Sequence, residues 1–374
     1  MTHDAADEGR VADPWPDPVA AYDDEPGFEV DELVTAANGD RSTLVVMAVG
    51  FDPRCVSALR RLLNVVSHAH VLALDLQRVD PRANDALDTH RDENRRNLVD
   101  LVSADRFTSV DYPQVHERAS AGRSLARHVA DAVRNGQYRH VIIDISATPT
   151  TVSFPVIRGL LDLSADVANM FELQVVVTEN PSLDGMIEKL GIEDAHLVAG
   201  FANPLNRARA DADVRIWTPI LGEGAEPALR AVHTEIAADG VCPVVPFPAR
   251  NARRSDDLIL EHRDLLEDEF LVRPGDYIYA AERNPFDLYR TLVRFAADAR
   301  ETLRPIGEAV VAISCHSSKL LSVGALLASY HARLPVVAAA PTSYRLSADA
   351  FVPAARAADK LACLWIRGTP YRRA

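Results

Sequence analysis

Val310-Val-Ala-Ile-Ser-Cys-His-Ser-Ser-Lys319 passes from an apolar run into a hydroxyl-rich turn and on into the apolar-periodic segment 320–329. Val141-Ile-Ile-Asp-Ile-Ser-Ala-Thr-Pro-Thr-Thr151 does the same and leads into 152–163. Each reads as a buried strand, a turn and a helix. Strands that are apolar almost throughout predict a parallel sheet covered on both faces. Ser and Thr ahead of a helix aim hydroxyls and free N–H groups at one point, which suits a phosphate or another anion. The same arrangement met twice predicts two similar α/β halves with a shared ligand site.

The flanking chain keeps this rhythm. In the first half, strands are expected at 43–49, 70–76, 107–110, 141–145 and 173–178, with helices over 55–66, 88–104, 120–135 and 151–163. In the second, strands at 213–220, 242–247, 277–280, 309–314 and 335–340 alternate with helices over 226–238, 256–269, 288–303 and 319–332. Segment 360–367 reads as an edge strand. Strand–helix alternation of this kind defines the expected fold: α/β, two tandem Rossmann-like halves with mainly parallel sheets. Residues 179–212 contain Asn180-Pro181 and Asn203-Pro204 and read as a connector, with a helix at 183–190. The expected division is an acidic disordered tail over 1–40, a first Rossmann-like domain with the connector over 41–208, and a second over 209–374, the boundary falling near 205–212.

Composition narrows the function classes. The chain has 374 residues, 48% hydrophobic and 25% charged, in the range of soluble globular proteins. Its net charge of −14 argues against general nucleic-acid coating. Residues 1–40 hold twelve acids, from Asp4 to Asp40, against Arg10 as the one Lys or Arg. The body is therefore close to neutral and can carry a local basic patch. Lys is scarce relative to Arg. Cys55, Cys242, Cys315 and Cys363 are far apart and show no zinc-ligand spacing, so free thiols in a reducing cytoplasm are expected, with no metal and no cofactor. No apolar run approaches membrane-span length, and the acidic N-terminus is unlike a signal peptide.

Five clusters carry candidate chemistry. Ser314, His316, Ser317, Ser318 and Lys319 combine hydroxyls, a helix start and one cation where ligands sit in open α/β sheets, at the carboxyl ends of strands. No Walker A pattern is present. Ser146, Thr148 and Thr150 are the counterpart without a lysine. Gly50, Asp52 and Arg54 follow the first strand; Asp52 can cap the next helix, leaving Arg54 to reach an anion or pair with Asp75. This turn lacks the dinucleotide-binding glycine pattern, so a nicotinamide cofactor is unsupported. Arg250 and Arg253, with Arg254, form a basic loop suited to phosphate. Glu282, Asn284 and Asp287 follow a later strand: Asn284 could read a base edge, and Glu282, Asp287 or Asp52 could serve as an acid–base group. Cys315 and His316 are adjacent on a strand and face opposite ways, which excludes a dyad between them.

The pattern resembles the CARF and SAVED type of Rossmann-like domain, the nucleotide sensors of bacterial antiviral systems; SAVED proteins fuse two CARF-like units in one chain. The resemblance spans about residues 42–345 in topology and rests on the strand-one turns (Gly50–Arg54 and Leu221–Gly224) and the later turns (Ser146–Thr151 and Ser314–Lys319). It implies a site for a cyclic oligonucleotide or related nucleotide. Members typically carry an effector domain, and none is visible in this sequence, so either the effector is a separate protein or the likeness is a shared Rossmann-like ancestry alone. The expected function is a nucleotide- or phosphate-ligand-binding cytoplasmic protein, a sensor or accessory subunit of antiphage defence, with a homo-oligomer among the expected partners. A nucleotide-processing enzyme and a non-catalytic scaffold are the alternatives.

Overall fold

The computed structural model describes residues 13–27, 29–39, 41–76, 85–111, 118–166, 170–201, 205, 213–351 and 358–372. The chain opens with strand β1 (Val19–Tyr22) and helix α1 (Val30–Asn38). The first half then runs β2 (Thr43–Val49), α2 (Arg54–Val65), β3 (His70–Asp75), α3 (Asp85–Leu101), β4 (Phe107–Asp111), α4 (Arg118–Asn135), β5 (His140–Asp144), α5 (Thr150–Leu163) and β6 (Glu172–Glu179). A helical turn α6 (Pro181–Asp184) and the short strands β7 (Ile187–Leu190) and β8 (His196–Leu197) follow. The second half runs β9 (Val214–Ile220), α7 (Glu226–Ile236), β10 (Gly240–Val241), β11 (Val244–Pro246), α8 (Arg254–Glu261), β12 (Ile278–Ala280), α9 (Pro285–Leu303), β13 (Ala309–Cys315) and α10 (Lys319–Ala332). The chain ends with β14 (Val337–Ala338), β15 (Ser343–Leu346) and β16 (Lys360–Arg367).

The first sheet has the order β1-β16-β6-β5-β2-β3-β4. Strands β6, β5, β2, β3 and β4 are mutually parallel, and β2 is buried along its full length. In the second sheet β9 lies between β13 and the β10/β11 pair, and β12 follows β11, all parallel. In both sheets the first strand of the half sits between its second and its fourth. The chain order reverses at that point, between β2 and β5 and again between β9 and β13. Ligands in open α/β folds bind at such reversals, beyond the carboxyl ends of the strands. The doubled Rossmann-like plan expected from the sequence is the fold of the protein.

Several elements differ from expectation. The final strand, Lys360–Arg367, is not an edge of the second half. It pairs antiparallel with β6 and with β1 inside the first sheet. Its pattern of six buried residues suits any interior position, and only its partners decide which sheet it joins. Within the acidic N-terminal segment, residues 13–27 and 29–39 are built into the fold. Trp15 is buried and donates from Nε1 to the Ile366 carbonyl at 2.8 Å, and α1 buries Val30, Leu33, Val34 and Ala37. Residues 1–12 of the expected tail, and most of the expected boundary at 205–212, lie outside the described residues. The helix expected at 183–190 is the turn α6 followed by β7. The helix expected over 256–269 is α8 and then a wider π-type coil over Asp264–Glu269. The strand expected at 242–247 is β11, with the two-residue β10 preceding it.

One hydrophobic cluster runs through both halves, joining Val141, Ile143 and Leu160 of the first to Ile313, Leu320 and Leu326 of the second. Helices α5 and α10, each entered from a hydroxyl-rich turn, lie against this shared core. The carboxyl ends of the two sheets consequently face one another.

Candidate functional site

Three contacts place the two sets of turns together. Lys319 Nζ donates to the Thr148 carbonyl at 2.5 Å, linking the turn after β13 to the turn after β5. The Phe51 ring, after β2, lies 4.9 Å from that of Tyr344 on β15. Arg283, after β12, is 3.5 Å from Glu179 at the end of β6.

On the second-half side, Gly222 permits the closest approach. A Cβ there would stand 2.0 Å from the His316 carbonyl oxygen, so only glycine lets the β9 turn touch the β13 turn. Buried Ser314 accepts from Trp217 Nε1 at 3.0 Å, and its Oγ lies 2.7 Å from His316 Nε2. The serine oxygen can accept from the indole and still either donate to or accept from Nε2, so the direction of the second bond follows the tautomer of the ring. Burial, reinforced by the nearby charges of Lys189 and His262, holds His316 down at about 3, so the ring is neutral at physiological pH. Ser318 caps α10 by accepting from the Leu321 N–H at 3.2 Å. The Ser317 hydroxyl is buried and has no hydrogen-bond partner among the described residues. Burial likewise pushes the Cys315 thiol up to about 12, which leaves it inert.

Lys319 is half-buried, and burial together with the Arg54 charge lowers its ammonium to about 8; Lys189 adds to this, partly offset by Asp52 and Asp184. Among the described residues neither Lys319 nor Lys189 has a carboxylate at ion-pair distance. The chain contains three lysines, Lys189, Lys319 and Lys360, and the charges of two of them act on one another here, while arginine serves nearly everywhere else. Sequence reasoning picked out Lys319 and missed Lys189. The rarity of lysine was the signal that could have found it, because a compact point charge is the property that arginine lacks.

The first-half side is closed. Arg54 does not pair with Asp75 and is not available to an anion. Its Nε donates to both oxygens of Asp52, at 3.0 and 3.1 Å, and its Nη1 to Asp184 at 2.7 Å. Asp75 instead lies 3.8 Å from Arg91 and 3.6 Å from Arg95. Gly50 turns the chain into this ion-pair cluster and accepts from Asn94 Nδ2 at 2.9 Å. Ser146 donates from its hydroxyl to buried Asp144 and accepts from the Thr178 N–H at 2.7 Å. Thr148 Oγ1 donates to the Asp144 carbonyl at 3.1 Å, and Thr150 begins α5 half-buried. Burial pushes Asp144 up to about 7, with the Ser146 hydrogen bonds opposing the shift.

The remaining candidates are engaged elsewhere. Arg250 pairs with Asp24, and its N–H donates to Glu282 at 2.9 Å. Glu282 also pairs with Arg254 at 2.9 Å. Arg253 is 77% exposed and reaches only Asp257, one helical turn on. The Asn284 side-chain Oδ1 caps α9 rather than reading a base edge, accepting from the Phe286 and Asp287 N–H groups at 3.2 Å each. Asp287 accepts from the Ala281 N–H at 2.8 Å. Among the described residues no cluster of His, Cys, Asp and Glu is placed to hold a metal ion, and no helix is long and apolar enough to cross a membrane.

No protein-family profile matches the chain, and no curated protein matches it. Partial structural likenesses exist. A deacetylase of teicoplanin biosynthesis in complex with teicoplanin is 12% identical, with a TM-score of 0.24, over 42% of this chain and 79% of that one. A universal stress protein from Archaeoglobus fulgidus is 10% identical, with a TM-score of 0.23, over 79% of this chain and 94% of that one. A glycosyltransferase from Rickettsia africae is 8% identical, with a TM-score of 0.20, over 79% and 91%. At such scores the fold assignment rests on the strand order itself.

Proposed function

We propose that the junction between the halves binds a phosphorylated small ligand of the nucleotide class. In this reading the protein is a sensor or accessory subunit of a bacterial antiphage system and acts through a separate effector protein. One observation carries the binding reading: Lys319 and Lys189, neither with an ion-pair partner among the described residues, act on one another through their charges, and the Ser317 hydroxyl, two residues before Lys319, is also without a partner among them. Two ammonium groups in each other's field repel, and a phosphate placed between them is attracted to both. The start of α10 adds N–H groups on the same side. The sensor role rests on the resemblance of the paired turns to CARF and SAVED proteins. Binding is favoured over turnover because Asp52, Glu282 and Asp287, the candidate acid–base groups, are each held in ion pairs or backbone hydrogen bonds.

With only three lysines in the chain, amine labelling reads this site almost alone. A nucleotide or cyclic oligonucleotide that raises the melting temperature is expected to slow labelling of Lys319 and Lys189 while Lys360 labels unchanged. Recovery of that ligand intact by mass spectrometry supports a sensor, and its conversion makes the protein an enzyme. Undiminished labelling of both lysines with every phosphorylated compound tested would remove the site.

A further inference from the structure

Strands β7 and β15, far apart in the chain, form a two-stranded antiparallel ribbon at the junction. Lys189 stands directly opposite Tyr344, Glu188 opposite Arg345, and Ile187 opposite Leu346. Directly opposed residues share a face, and successive residues alternate between faces. One face carries Glu188 and Arg345, an exposed ion pair at 2.7 Å. The other carries Lys189, Tyr344, Ile187 and Leu346.

The second face is turned toward the site. Half-buried Tyr344 packs on half-buried Phe51, which stands in the turn after β2. The Lys189 charge acts on both His316 and Lys319, in the turn after β13. The ribbon thus touches the turn after β2 through Tyr344, while exposed Lys189, directly opposite that ring, acts on the turn after β13 through its charge. Its foot is fixed as well, because Asp184, three residues before β7, holds Arg54 at 2.7 Å. The outer charges neutralise one another, while the cation on the inner face is left without a counter-charge among the described residues.

We infer that this ribbon is the base-recognition wall of the site: the ligand carries a planar aromatic base that packs on Tyr344 and Phe51 while its phosphate lies between Lys189 and Lys319. The inference rests on the phosphate-site reading above and deepens it. A ring and a lysine on one ribbon face supply the two contacts a nucleotide needs, a flat apolar surface for the base and a cation for the phosphate. A ligand with phosphate alone would use the lysines and leave the aromatic pair idle.

Titration calorimetry of the full chain with ADP, cyclic tetra-adenylate and pyrophosphate separates these contributions. Pyrophosphate, which has no base, is expected to bind at least about 10-fold more weakly than the better of the two adenine ligands. Tyr344→Ala is expected to lower affinity for that adenine ligand by about 10-fold and to leave pyrophosphate unchanged. Tyr344→Phe is expected to retain the affinity. Phe51→Leu, which keeps apolar bulk without a flat ring, repeats the test should Tyr344→Ala fail to fold. Equal binding of adenine ligand and pyrophosphate, unaffected by either ring substitution, would overturn the inference and leave the phosphate site standing. Absence of binding by all three compounds in the unmodified protein would overturn both.

Discussion

The two strand–turn–helix copies share a backbone plan and differ in who neutralises their charge. In the first half the strong groups of these turns answer one another: Arg54 lies between Asp52 and Asp184, and Ser146 between Asp144 and the Thr178 amide. In the second half, among the described residues, Lys319 donates only to a carbonyl oxygen of the first half, and the Ser317 hydroxyl has no partner. One copy is closed from within by ion pairs, and the other carries positive charge that calls for an outside anion. Similar turns are therefore dissimilar sites, and internal charge balance separates them better than hydroxyl content does.

The largest test of this contrast is Arg54→Ala. Removing a buried guanidinium strands the Asp52 carboxylate and should destabilise the protein by about 3–5 kcal/mol in denaturant unfolding. A loss below about 1 kcal/mol would mean that the first copy is not held by its ion pairs. Lys319→Ala should behave oppositely, leaving stability unchanged or raised while phosphate-ligand affinity falls by about 1.5–3 kcal/mol. The same residue sets a pH dependence. Its ammonium, lowered to about 8, is charged below that pH and neutral above it, so ligand affinity should fall from pH 7 to pH 9 in the unmodified protein and stay flat in Lys319→Ala.

The closed copy is tested by pH at Asp144. Raised to about 7 by burial, it keeps a proton in the folded state that the unfolded chain releases near pH 4. Stability should therefore decline as pH rises from about 4 to 7, by about 1 kcal/mol per unit at the steepest. Asp144→Asn should remove that slope, and an unchanged slope would place the titration elsewhere. Arg253→Ala comes last: a mostly exposed side chain facing one carboxylate should change stability by less than about 0.5 kcal/mol, with no change in ligand affinity. A marked loss of affinity would return the basic loop to the site.

Much of the fold was legible because its signals are local. Apolar runs such as Thr43–Val49 and Ala309–Cys315 can only be buried strands, and their alternation with amphipathic segments leads to the doubled parallel plan. Lys319 was legible for the same reason, at the junction of an apolar strand and a helix. Lys189 and Tyr344 were not. They sit in four-residue strands whose pairing partners lie more than 150 residues apart, and no local pattern encodes such a meeting. Arg54 and Asn284 were found as polar residues after strands, but their partners, Asp184 and the first amides of α9, decided that they hold structure.

By itself the sequence determined that this is a doubled α/β protein with two hydroxyl-rich turns at strand ends, because hydrophobic periodicity and turn chemistry act over a few residues. The tertiary structure decided the rest: that Lys360–Arg367 returns to the first sheet, that Asp52 and Asp184 close one copy, and that Lys319 of the other reaches only the Thr148 carbonyl among the described residues. Pairing and charge neutralisation depend on distances between residues remote in the chain, and those distances exist only once both halves have packed on their common core.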